Sequence, residues 1–327
     1  MKNHYTAVVV GAGSIGATKP DDLDSPKSEN ILTHAHAYYH HPQFELIGII
    51  DTEKEKRTLA AKKWNTNGFS NISQLKQTPD FISICIPTEA HFYFFNELFS
   101  LNIQPKMIIA EKPFCSSLIF SSQIIKKLKD RNIPVSVNYT RRFVKEYSNI
   151  KKKLSEEKIF SCVCYYDRGL LRDGSHAIDM FNYFFGKIQN GFLINSRSVD
   201  DFSKNDLTYT VHLNYEKCKN VFMIPGDGRS FSIFEMDILT DKSRYRFVDH
   251  GGKLKIYNHE KEKIYGSYMS ANSDAKNIKT DLTNSLIANL NNCINYLEKK
   301  EDLYCTPFDA YEVHKIILMI KTNQKYG

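Results

Sequence analysis

The sequence predicts an α/β protein in which a doubly wound parallel sheet is followed by a C-terminal α+β domain with a large open, mostly antiparallel sheet. Short apolar runs alternate with helical patterns up to residue 138, which indicates βαβ units. The first of these runs leads directly into a G-x-G-x-x-G motif. Beyond residue 138, strand-like runs follow one another with turns between them. With 327 residues, the chain is long enough for two domains.

The first domain is predicted over residues 1–138. Its strands are apolar on both faces, which is typical of parallel strands covered by helices on both sides. The predicted strands are Thr6–Val10, Phe44–Ile50, Phe81–Ile86, Met107–Ala110 and Val135–Asn138, and the clearest helices are Glu89–Ser100 and Ser116–Asn132. A doubly wound sheet that begins with a glycine-rich turn is a Rossmann-type dinucleotide-binding fold.

The second domain is predicted over residues 139–327. Helical stretches over Arg142–Leu154 and Asp173–Phe185 precede most of its strands, and two helices, Asp281–Lys299 and Phe308–Thr322, close the chain. The strands are predicted at Gly191–Ser198, Leu207–Tyr215, Asn220–Ile224, Phe231–Leu239, Tyr245–Asp249 and Lys253–Tyr257. This pattern favours an antiparallel meander with helices on one face.

The composition is that of an ordinary globular protein, with 42% hydrophobic and 25% charged residues. The net charge of +7 is spread along the chain, with local runs at Lys126-Lys127, Lys151–Lys153 and Lys299-Lys300. These runs are interpreted as solvated helix faces, with a patch for an anionic ligand or nucleic acid as the alternative. Because no recognition motif accompanies them, nucleic acid is not expected as a partner.

The cysteines and the start of the chain bear on cellular location. Seven cysteines occur without C-x-x-C or zinc spacing, which favours reduced thiols in a cytoplasm. The first strand begins within a few residues of Met1, which leaves no room for a signal segment, and no apolar run reaches transmembrane length. A cytoplasmic protein with no membrane partner is expected.

The glycine motif carries the strongest functional signal. Gly11 allows a tight turn off the strand, Gly13 allows the backbone to approach a pyrophosphate, and Gly16 allows a helix to pack against the sheet. Phosphate groups would then lie at the helix N-terminus, beside Ser14 and Ile15. An ordinary strand-to-helix turn is the alternative.

A polar insertion interrupts the first domain after the glycine motif. Residues 17–33 are rich in turn formers, and Pro20 and Pro26 exclude one continuous helix. The insertion displaces the acidic residue that usually follows the glycines by about 20 positions, so that Asp51 becomes the best candidate. We expect the insertion to cover the cofactor or to shape a substrate pocket.

Asp51 ends the second strand, where its carboxylate can accept hydrogen bonds from adenosine ribose hydroxyls and repel a 2′-phosphate. The sequence therefore favours NAD over NADP. The alternatives are a solvated residue at a strand end, or a site in which the nearby Lys54, Lys56 and Arg57 tolerate a phosphate.

Two further segments follow strands of the parallel sheet, at the edge where such folds bind ligands. Glu111-Lys112-Pro113 places a lysine where it can polarise a carbonyl or exchange a proton with an alcohol, with a surface turn as the alternative. Cys85–His91 combines a turn at Pro87, a helix cap at Thr88 and a histidine one turn into the helix.

A polar cluster of the second domain lies within Gly169–Gly186. A helix that begins near Gly174 would place His176, Asp179 and Tyr183 at positions i, i+3 and i+7, on one face. A histidine beside a carboxylate suits proton transfer near neutral pH, and a buried structural hydrogen bond between the two is the alternative.

The histidine-rich run Thr33–His41 places His36 and His40 at helical i, i+4 spacing, which raises the question of a metal site. A helix that turns His34 and His36 toward a cofactor cleft is preferred, with the other histidines on the surface, and no metal is expected. The chain has no G-x-S-x-G, P-loop or H-E-x-x-H motif, which argues against hydrolases and nucleoside triphosphatases.

Taken in order, these segments resemble the Gfo/Idh/MocA family of sugar and cyclitol oxidoreductases over essentially the whole chain. The matching segments are Gly11–Gly16, Asp51, Ile86–His91, Glu111–Pro113, Asn138–Phe143, Gly174–Asp179 and Thr306–Ala310. The resemblance implies a C-terminal domain for substrate binding and oligomerisation, a homodimer or homotetramer, and hydride transfer between nicotinamide and a sugar carbon. The chain departs from the family pattern in its insertion and in Glu89, where asparagine is usual.

The resemblance also implies roles for individual residues. The catalytic residues would be Lys112, His176 and Asp179. The residues that hold NAD would be Gly11, Gly13, Ser14, Ile15, Gly16, Asp51, Pro87, Thr88, His91, Glu111 and Lys112. The residues that contact substrate would be Lys112, Tyr139, Arg141, Arg172, Asp173, His176 and Tyr183, with Arg142 near the domain junction.

The expected function is therefore that of an NAD-dependent oxidoreductase acting on a sugar, with a nucleotide-linked or amino sugar favoured. One alternative is an enzyme that retains NAD and uses transient oxidation for epimerisation, elimination or glycoside cleavage. The other is a non-catalytic sensor or scaffold that keeps the Rossmann fold for its structure.

Overall fold

The computed structural model describes residues 4–195, 206–264, 266–272 and 274–322. By their internal contacts these residues form two compact units. The first contains the chain up to Phe143 together with Thr283–Tyr311, and the second contains Val144–Leu282 together with the described residues from Glu312 onward. The predicted α/β class is confirmed by two sheets, one parallel and one mostly antiparallel.

The sheet of the first unit has six parallel strands in the order β3-β2-β1-β4-β5-β6. The strands are β1 (Tyr5–Val10), β2 (Phe44–Ile50), β3 (Gly68–Phe69), β4 (Phe81–Ile84), β5 (Met107–Ala110) and β6 (Val135–Val137). Every residue of β4 and β5 is buried, as expected for strands covered on both faces. This strand order is that of the doubly wound dinucleotide-binding fold.

Five helices belong to the first unit. They are α1 (His34–His40), α2 (Lys54–Lys63), α3 (Thr88–Ser100), α4 (Leu118–Asp130) and α7 (Ser285–Leu297). Helices α3 and α4 were predicted from the sequence. Helix α2 was not, because eight of its ten residues are exposed or only partly buried and its buried positions are the adjacent Ala60 and Ala61. Two neighbouring alanines give no helical period.

Helix α7 completes the core of the first unit although it lies near the end of the chain. Its residues Leu286, Leu290 and Cys293 belong to the same buried cluster as residues of β1 and β4. The Ser136 hydroxyl, on β6, donates a hydrogen bond to Oδ1 of Asn289 at 2.8 Å. The predicted boundary at residue 138 assigns α7 to the second domain, whereas α7 packs in the core of the first unit. The sequence could not show this, because an apolar helix face does not identify the surface that it covers.

The insertion interrupts the first helix of the parallel sheet. After the glycine motif the chain makes one turn and then leaves the helical path over residues 18–32. Helix α1 resumes that path, because the amides of His34 and Ala35 donate to the carbonyls of Ile15 and Gly16 at 3.1 and 2.9 Å. The helix expected directly after Gly16 is thus one turn, which continues into α1 across the insertion.

A buried carboxylate fixes the insertion to α1. Asp24 is fully buried, and its oxygens accept hydrogen bonds from the Leu32 amide (2.9 Å) and the Thr33 hydroxyl (2.7 Å). Oδ1 also lies 2.7 Å from Nδ1 of His36, whose ring stacks on Trp64. Burial acts to raise the pKa of Asp24, but the hydrogen bonds from His36, Leu32 and Thr33 outweigh it and lower the pKa. The insertion is therefore a packed part of the first unit.

We expect the substitution Asp24→Ala to lower the free energy of unfolding by about 3–5 kcal/mol, because it leaves His36 and Thr33 buried without their partner. Since the pKa of Asp24 is depressed in the folded state, its contribution is present above the ordinary carboxyl pKa of 3.8 and is lost as the pH falls below it. Urea unfolding at neutral and acidic pH measures both effects. Asp22→Ala, at an exposed position of the same insertion, is the control. Equal stability of the two variants would contradict the prediction.

Within the described residues, the sheet of the second unit has nine strands, in the order β14-β13-β12-β11-β7-β10-β9-β8 with β15 paired to β13. The strands are β7 (Ile159–Tyr166), β8 (Ile188–Asn195), β9 (Thr210–Tyr215), β10 (Val221–Pro225), β11 (Phe234–Thr240), β12 (Ser243–Val248), β13 (Lys253–Lys261), β14 (Met269–Ala271) and β15 (Lys276–Lys279). The end of the strand predicted at Gly191–Ser198 lies outside the described residues.

The central strand β7 was missed from the sequence. It pairs in parallel with β10 and antiparallel with β11, so these two strands lie on either side of it instead of forming the predicted meander. Its buried residues are Ile159, Cys162, Cys164 and Tyr166. The first two are three positions apart, where the pairing with β11 shifts register, and this step breaks the alternation by which strands are recognised.

Helices cover one face of this sheet, as predicted. They are α5 (Lys145–Leu154), α6 (Ser175–Phe185) and the part of α8 (Pro307–Thr322) that belongs to the second unit. Tyr147 on α5 and Phe184 on α6 stack on Phe247 of β12, with ring centroids 4.5 and 5.9 Å apart. The opposite face of the sheet carries the more exposed side chains, among them Tyr165 of β7 and Phe192 of β8.

Candidate active site

The three glycines of the motif are needed for different reasons. Gly11 has a φ of +99°, and a Cβ there would lie 2.5 Å from the carbonyl oxygen of Cys85. A Cβ on Gly16 would lie 1.9 Å from the carbonyl oxygen of Gly11. A Cβ on Gly13 would meet no atom within 4 Å. Gly11 and Gly16 thus allow backbone segments to meet, whereas Gly13 leaves open space that a phosphate group can enter.

Asp51 lies directly after β2, beside the turn formed by the glycine motif Gly11–Gly16, here called the glycine turn. Its Oδ2 accepts a hydrogen bond from the amide of Ala12 at 2.8 Å, and its Oδ1 accepts one from the amide of Glu53 at 2.9 Å. These bonds fix the carboxylate while its side chain stays partly exposed. Each oxygen retains further capacity to accept, so the carboxylate can also bind ribose hydroxyls.

A cleft of about 730 Å³ lies beside the glycine turn, at the carboxyl ends of β1, β2 and β4. Of the predicted cofactor residues, it is lined by Gly11, Gly13, Asp51 and Pro87, while Ser14, Ile15, Gly16 and Thr88 lie outside its lining. Lys56, considered from the sequence as a neighbour of a phosphate, also lines it, together with residues that were not singled out: Glu53, Ser70, Asn71, Ile72, Ala90, Tyr93, Phe94 and Glu97. The last four share one face of α3 at i, i+3, i+4 and i+7, a spacing that could have identified them.

His91, predicted to contact the cofactor, lies outside the lining of this cleft. It is fully buried, with Nδ1 2.9 Å from the carbonyl oxygen of Phe114 and Nε2 3.0 Å from that of Ile86. Burial lowers the pKa of His91, although the two carbonyl contacts act in the opposite direction. The ring lies between the loops that follow β4 and β5, and in its neutral form it donates a hydrogen bond to one of these two carbonyls.

Lys112 follows Glu111 at the end of β5 and is partly exposed. Oε1 of Glu111 accepts a hydrogen bond from Nδ2 of Asn138 at 2.6 Å and lies 3.0 Å from Nε2 of His34. Burial acts to raise the pKa of Glu111, but His34, Asn138 and Lys112 together lower it. An ionised carboxylate thus stands next to the lysine that the sequence singles out.

The histidine-rich run is mostly buried, which corrects its interpretation. His34 and His36 are 2% and 0% exposed, and neither lines the cleft beside the glycine turn. His41, expected on the surface, is also buried, with Nε2 3.1 Å from Oδ1 of Asn291 on α7. Helical spacing shows which residues share a face, but it does not show what covers that face.

The predicted catalytic residues of the second domain lie on α6. His176 is in its first turn and partly exposed, Asp179 is fully buried, and Tyr183 is partly exposed. The ammonium group of Lys151 lies 3.9 Å from the centroid of the Tyr183 ring. The predicted i, i+3, i+7 spacing is therefore present on one helix. Lys112 belongs to the first unit and these three residues to the second.

Arg172 and Asp173 lie in a π-helical turn, Leu170–Gly174, directly before α6. Their side chains form an ion pair with an N–O distance of 3.9 Å. Asp206 accepts hydrogen bonds from the amides of Leu171 and Arg172 at 2.8 and 2.9 Å, and so caps this turn. Asp206 could not be predicted as a cap from the sequence, because a cap contributed from 34 residues away leaves no local signal.

Tyr139, Arg141 and Arg142 lie in or beside the 3₁₀ turn Thr140–Phe143 of the first unit, and all three are buried. Nη1 of Arg142 bonds Oδ1 of Asp309 at 2.9 Å. Burial acts to raise the pKa of Asp309, but this arginine and the Thr306 hydrogen bonds lower it. Arg142 therefore holds the first turn of α8, a structural role that the sequence analysis did not assign.

Among the described residues, no three histidine, cysteine or acidic side chains come together as metal ligands. All seven cysteines lie in the described ranges, where each is buried and none forms a disulfide. In the same ranges, no helix combines the length and the apolar character needed to cross a membrane.

Residues 6–139 match the model of the Gfo/Idh/MocA family, described as an oxidoreductase family with an NAD-binding Rossmann fold. No curated protein sequence matches the chain. Solved structures share the fold at low sequence identity. An oxidoreductase from Desulfitobacterium hafniense, described as NADPH-dependent, is 13% identical, with a TM-score of 0.77 and coverage of 99% of this chain and 98% of that chain.

Two further similar structures are sugar-nucleotide enzymes by their descriptions. UDP-N-acetylglucosamine 3-dehydrogenase GnnA from Acidithiobacillus ferrooxidans is 15% identical, with a TM-score of 0.72 and coverage of 98% of each chain. The WlbA dehydrogenase from Bordetella pertussis, in complex with NADH and UDP-GlcNAcA, is 13% identical, with a TM-score of 0.73 and coverage of 98% of this chain and 95% of that chain.

The family match covers every strand of the parallel sheet, the glycine turn, Asp51 and the Glu111-Lys112-Pro113 segment. The part of the chain that matches the Gfo/Idh/MocA family of NAD-binding oxidoreductases is therefore its N-terminal region, residues 6–139.

Proposed function

We propose that this protein is an NAD-dependent oxidoreductase that transfers a hydride between nicotinamide and a hydroxyl or keto carbon of a sugar. The observation that carries the proposal is the position of Lys112 at the end of β5, in the same parallel sheet whose β1 leads into the glycine turn. Ligands of doubly wound sheets bind at this carboxyl edge. A proton-exchanging side chain therefore accompanies the dinucleotide cleft.

In the proposed reaction, the side chain of Lys112 exchanges the hydroxyl proton of the substrate while the hydride moves to or from the same carbon. The nicotinamide ring, when bound, supplies the hydride acceptor or donor. His176 shares in the proton transfer, and Asp179 orients the His176 ring. The further residues proposed to contact substrate are Tyr139, Arg141, Arg172, Asp173 and Tyr183.

NAD is proposed as the working cofactor in preference to NADP. The fixed carboxylate of Asp51 supports this choice, because it can accept hydrogen bonds from ribose hydroxyls and would repel a 2′-phosphate. Of the nearby cations, Lys56 is paired with Glu53 at 2.5 Å. Nη1 of Arg57 is directed to the carbonyl oxygen of Thr52 at 3.1 Å. Both contacts compete with a phosphate for these two side chains.

The substrate is proposed to be a nucleotide-linked or amino sugar. The sugar-nucleotide enzymes among the similar structures support this class, and the net charge of +7 is compatible with an anionic substrate. A cytoplasmic location is part of the same proposal.

A homodimer or homotetramer is proposed, formed through the open face of the second sheet. That face carries large exposed apolar side chains together with a charged cluster in which Asp237 contacts Arg244 and Arg246. The exposed apolar residues on these strands are Phe160, Tyr165, Phe192, Ile194 and Leu239. Apolar area edged by polar groups is typical of surfaces between subunits.

The proposal predicts the outcome of a thermal-shift screen in which NAD or NADP is combined with UDP-sugars and free amino sugars. We expect NAD to raise Tm, and one sugar class to raise it further, because ligand at about 100 times its Kd adds about 2.7 kcal/mol to stability. Absence of a shift with either dinucleotide would refute the proposal. Sugar conversion without net formation of NADH would instead indicate an enzyme that retains NAD.

A further inference from the structure

A buried set of hydrogen bonds joins α1 to the carboxylate beside Lys112. Nε2 of His34 lies 3.0 Å from Oε1 of Glu111, and Nδ1 of the same ring lies 3.0 Å from Oγ of Ser83. The hydroxyl of Tyr38 lies 2.8 Å from that Oγ. His34, Ser83 and Tyr38 are at most 2% exposed, so these three side chains are shielded from bulk water.

The Glu111 carboxylate fixes the direction of one of these hydrogen bonds. A carboxylate oxygen only accepts, so Nε2 of His34 carries a proton and donates it to Glu111. The contacts of Nδ1 of His34 with Oγ of Ser83, and of that Oγ with the Tyr38 hydroxyl, complete the series Tyr38 to Ser83 to His34 to Glu111.

We infer that His34 is a positioning residue of the proposed active site, which fixes the carboxylate of Glu111 and so sets how strongly its charge acts on Lys112. The catalytic part of this inference rests on the proposed function, whereas the electrostatic part does not. Asn138 donates to the same Oε1 at 2.6 Å, so the carboxylate is held from two sides.

The backbone around His34 is also fixed by hydrogen bonds. Its amide donates to the carbonyl of Ile15 in the glycine turn at 3.1 Å. The preceding residue, Thr33, donates its hydroxyl to the buried Asp24 of the insertion at 2.7 Å. The insertion thus fixes the start of α1, from which His34 reaches Glu111. This role differs from the cover over the cofactor that the sequence suggests.

The titratable groups that act on the charge of Glu111 are His34 on α1, Cys85 after β4, His91 on α3 and Lys112 itself. Burial raises the pKa of Cys85 and lowers that of His91, so both groups are neutral near pH 7. Lys112 lowers the pKa of Glu111 together with His34 and Asn138. Loss of the His34 donor leaves more of the carboxylate charge to act on Lys112 and favours its ammonium form.

The test follows the reaction of Lys112 with acetic anhydride as a function of pH, measured by peptide mass spectrometry on the full chain. Only the free amine reacts, so the midpoint of the profile reports the titration of this side chain. We expect His34→Leu to raise the midpoint by about 1 pH unit, and the isosteric Glu111→Gln to lower it by a similar amount. His34→Gln keeps an N–H donor and is expected to restore most of the original profile.

Tyr38→Phe is the matched control, because it removes a buried hydroxyl at the far end of the series and leaves the donor to Glu111 in place. An unchanged midpoint in Tyr38→Phe with a raised one in His34→Leu supports the inference. Equal midpoints in these two variants overturn it. If His34→Leu does not fold, Glu111→Gln provides the test, and an unchanged midpoint in that variant overturns the inference.

Turnover with the sugar found by the thermal-shift screen separates this inference from the proposed function. We expect His34→Leu to lower kcat about tenfold, to leave the KM for NAD unchanged, and to move the acidic limb of the kcat profile to higher pH. Turnover retained by Lys112→Ala would refute the proposed function without altering the labelling result. An unchanged labelling profile would refute the inference even if Lys112 proves catalytic.

Discussion

The substitution Lys112→Ala is expected to lower turnover by about 10²–10⁴-fold while leaving the affinity for NADH largely unchanged. A positioned acid or base contributes a factor of this size, and the alanine side chain can neither give nor accept the substrate proton. The cleft beside the glycine turn is lined by other residues, so the loss of this one side chain leaves the dinucleotide contacts in place.

The measurement pairs steady-state turnover with NADH titration followed by fluorescence. Lys126→Ala, at an exposed position on α4, is the control for a lost lysine charge, and we expect wild-type values for both quantities. Turnover in Lys112→Ala within a few-fold of the wild type would contradict the assignment. Loss of NADH binding together with turnover would show that Lys112 acts on the cofactor rather than on the proton.

The parallel sheet could be predicted from the sequence because its signals are local. Four residues of β4 and four of β5 are apolar or small and follow one another, and the glycine turn directly follows β1. Asp51 could be found for the same reason, since it ends β2, whose bounds were predicted as the structure has them. In each case a short segment contains both the element and the residue that the element positions.

The features that could not be predicted depend on contacts between segments that are far apart in the sequence. Helix α7 was predicted as a helix, but nothing in its pattern showed that Leu286 and Leu290 pack with β1 and β4. The partnership of Asp24 with His36, and of His34 with Glu111, joins residues 12 and 77 positions apart. A histidine that faces a ligand and one that faces a buried carboxylate look the same in a sequence, which is why the histidine-rich run was misinterpreted.

Two glycine-to-alanine substitutions in the glycine turn are expected to have different effects, one on NADH binding and the other on stability. Gly13→Ala is expected to leave Tm near the wild-type value and to weaken NADH binding at least about tenfold, because its Cβ meets no protein atom within 4 Å but occupies the space open to the phosphates. Gly16→Ala is expected to destabilise the first unit by about 3 kcal/mol or more, because its Cβ would lie 1.9 Å from the carbonyl oxygen of Gly11.

Thermal unfolding and NADH titration of the two variants separate a ligand-facing glycine from a structural one. The carbonyl that Gly16 approaches belongs to the residue whose φ of +99° turns the chain off β1, so relief of the clash must move the turn itself. The backbone at Gly11 is also held in place, since its amide donates a hydrogen bond to the carbonyl oxygen of Ile50 at 2.8 Å. Wild-type NADH affinity in Gly13→Ala would place the phosphates elsewhere, and a wild-type Tm in Gly16→Ala would mean that the turn can relax. Reduced affinity with unchanged stability in Gly13→Ala alone identifies Gly13 as a position where the dinucleotide approaches the backbone.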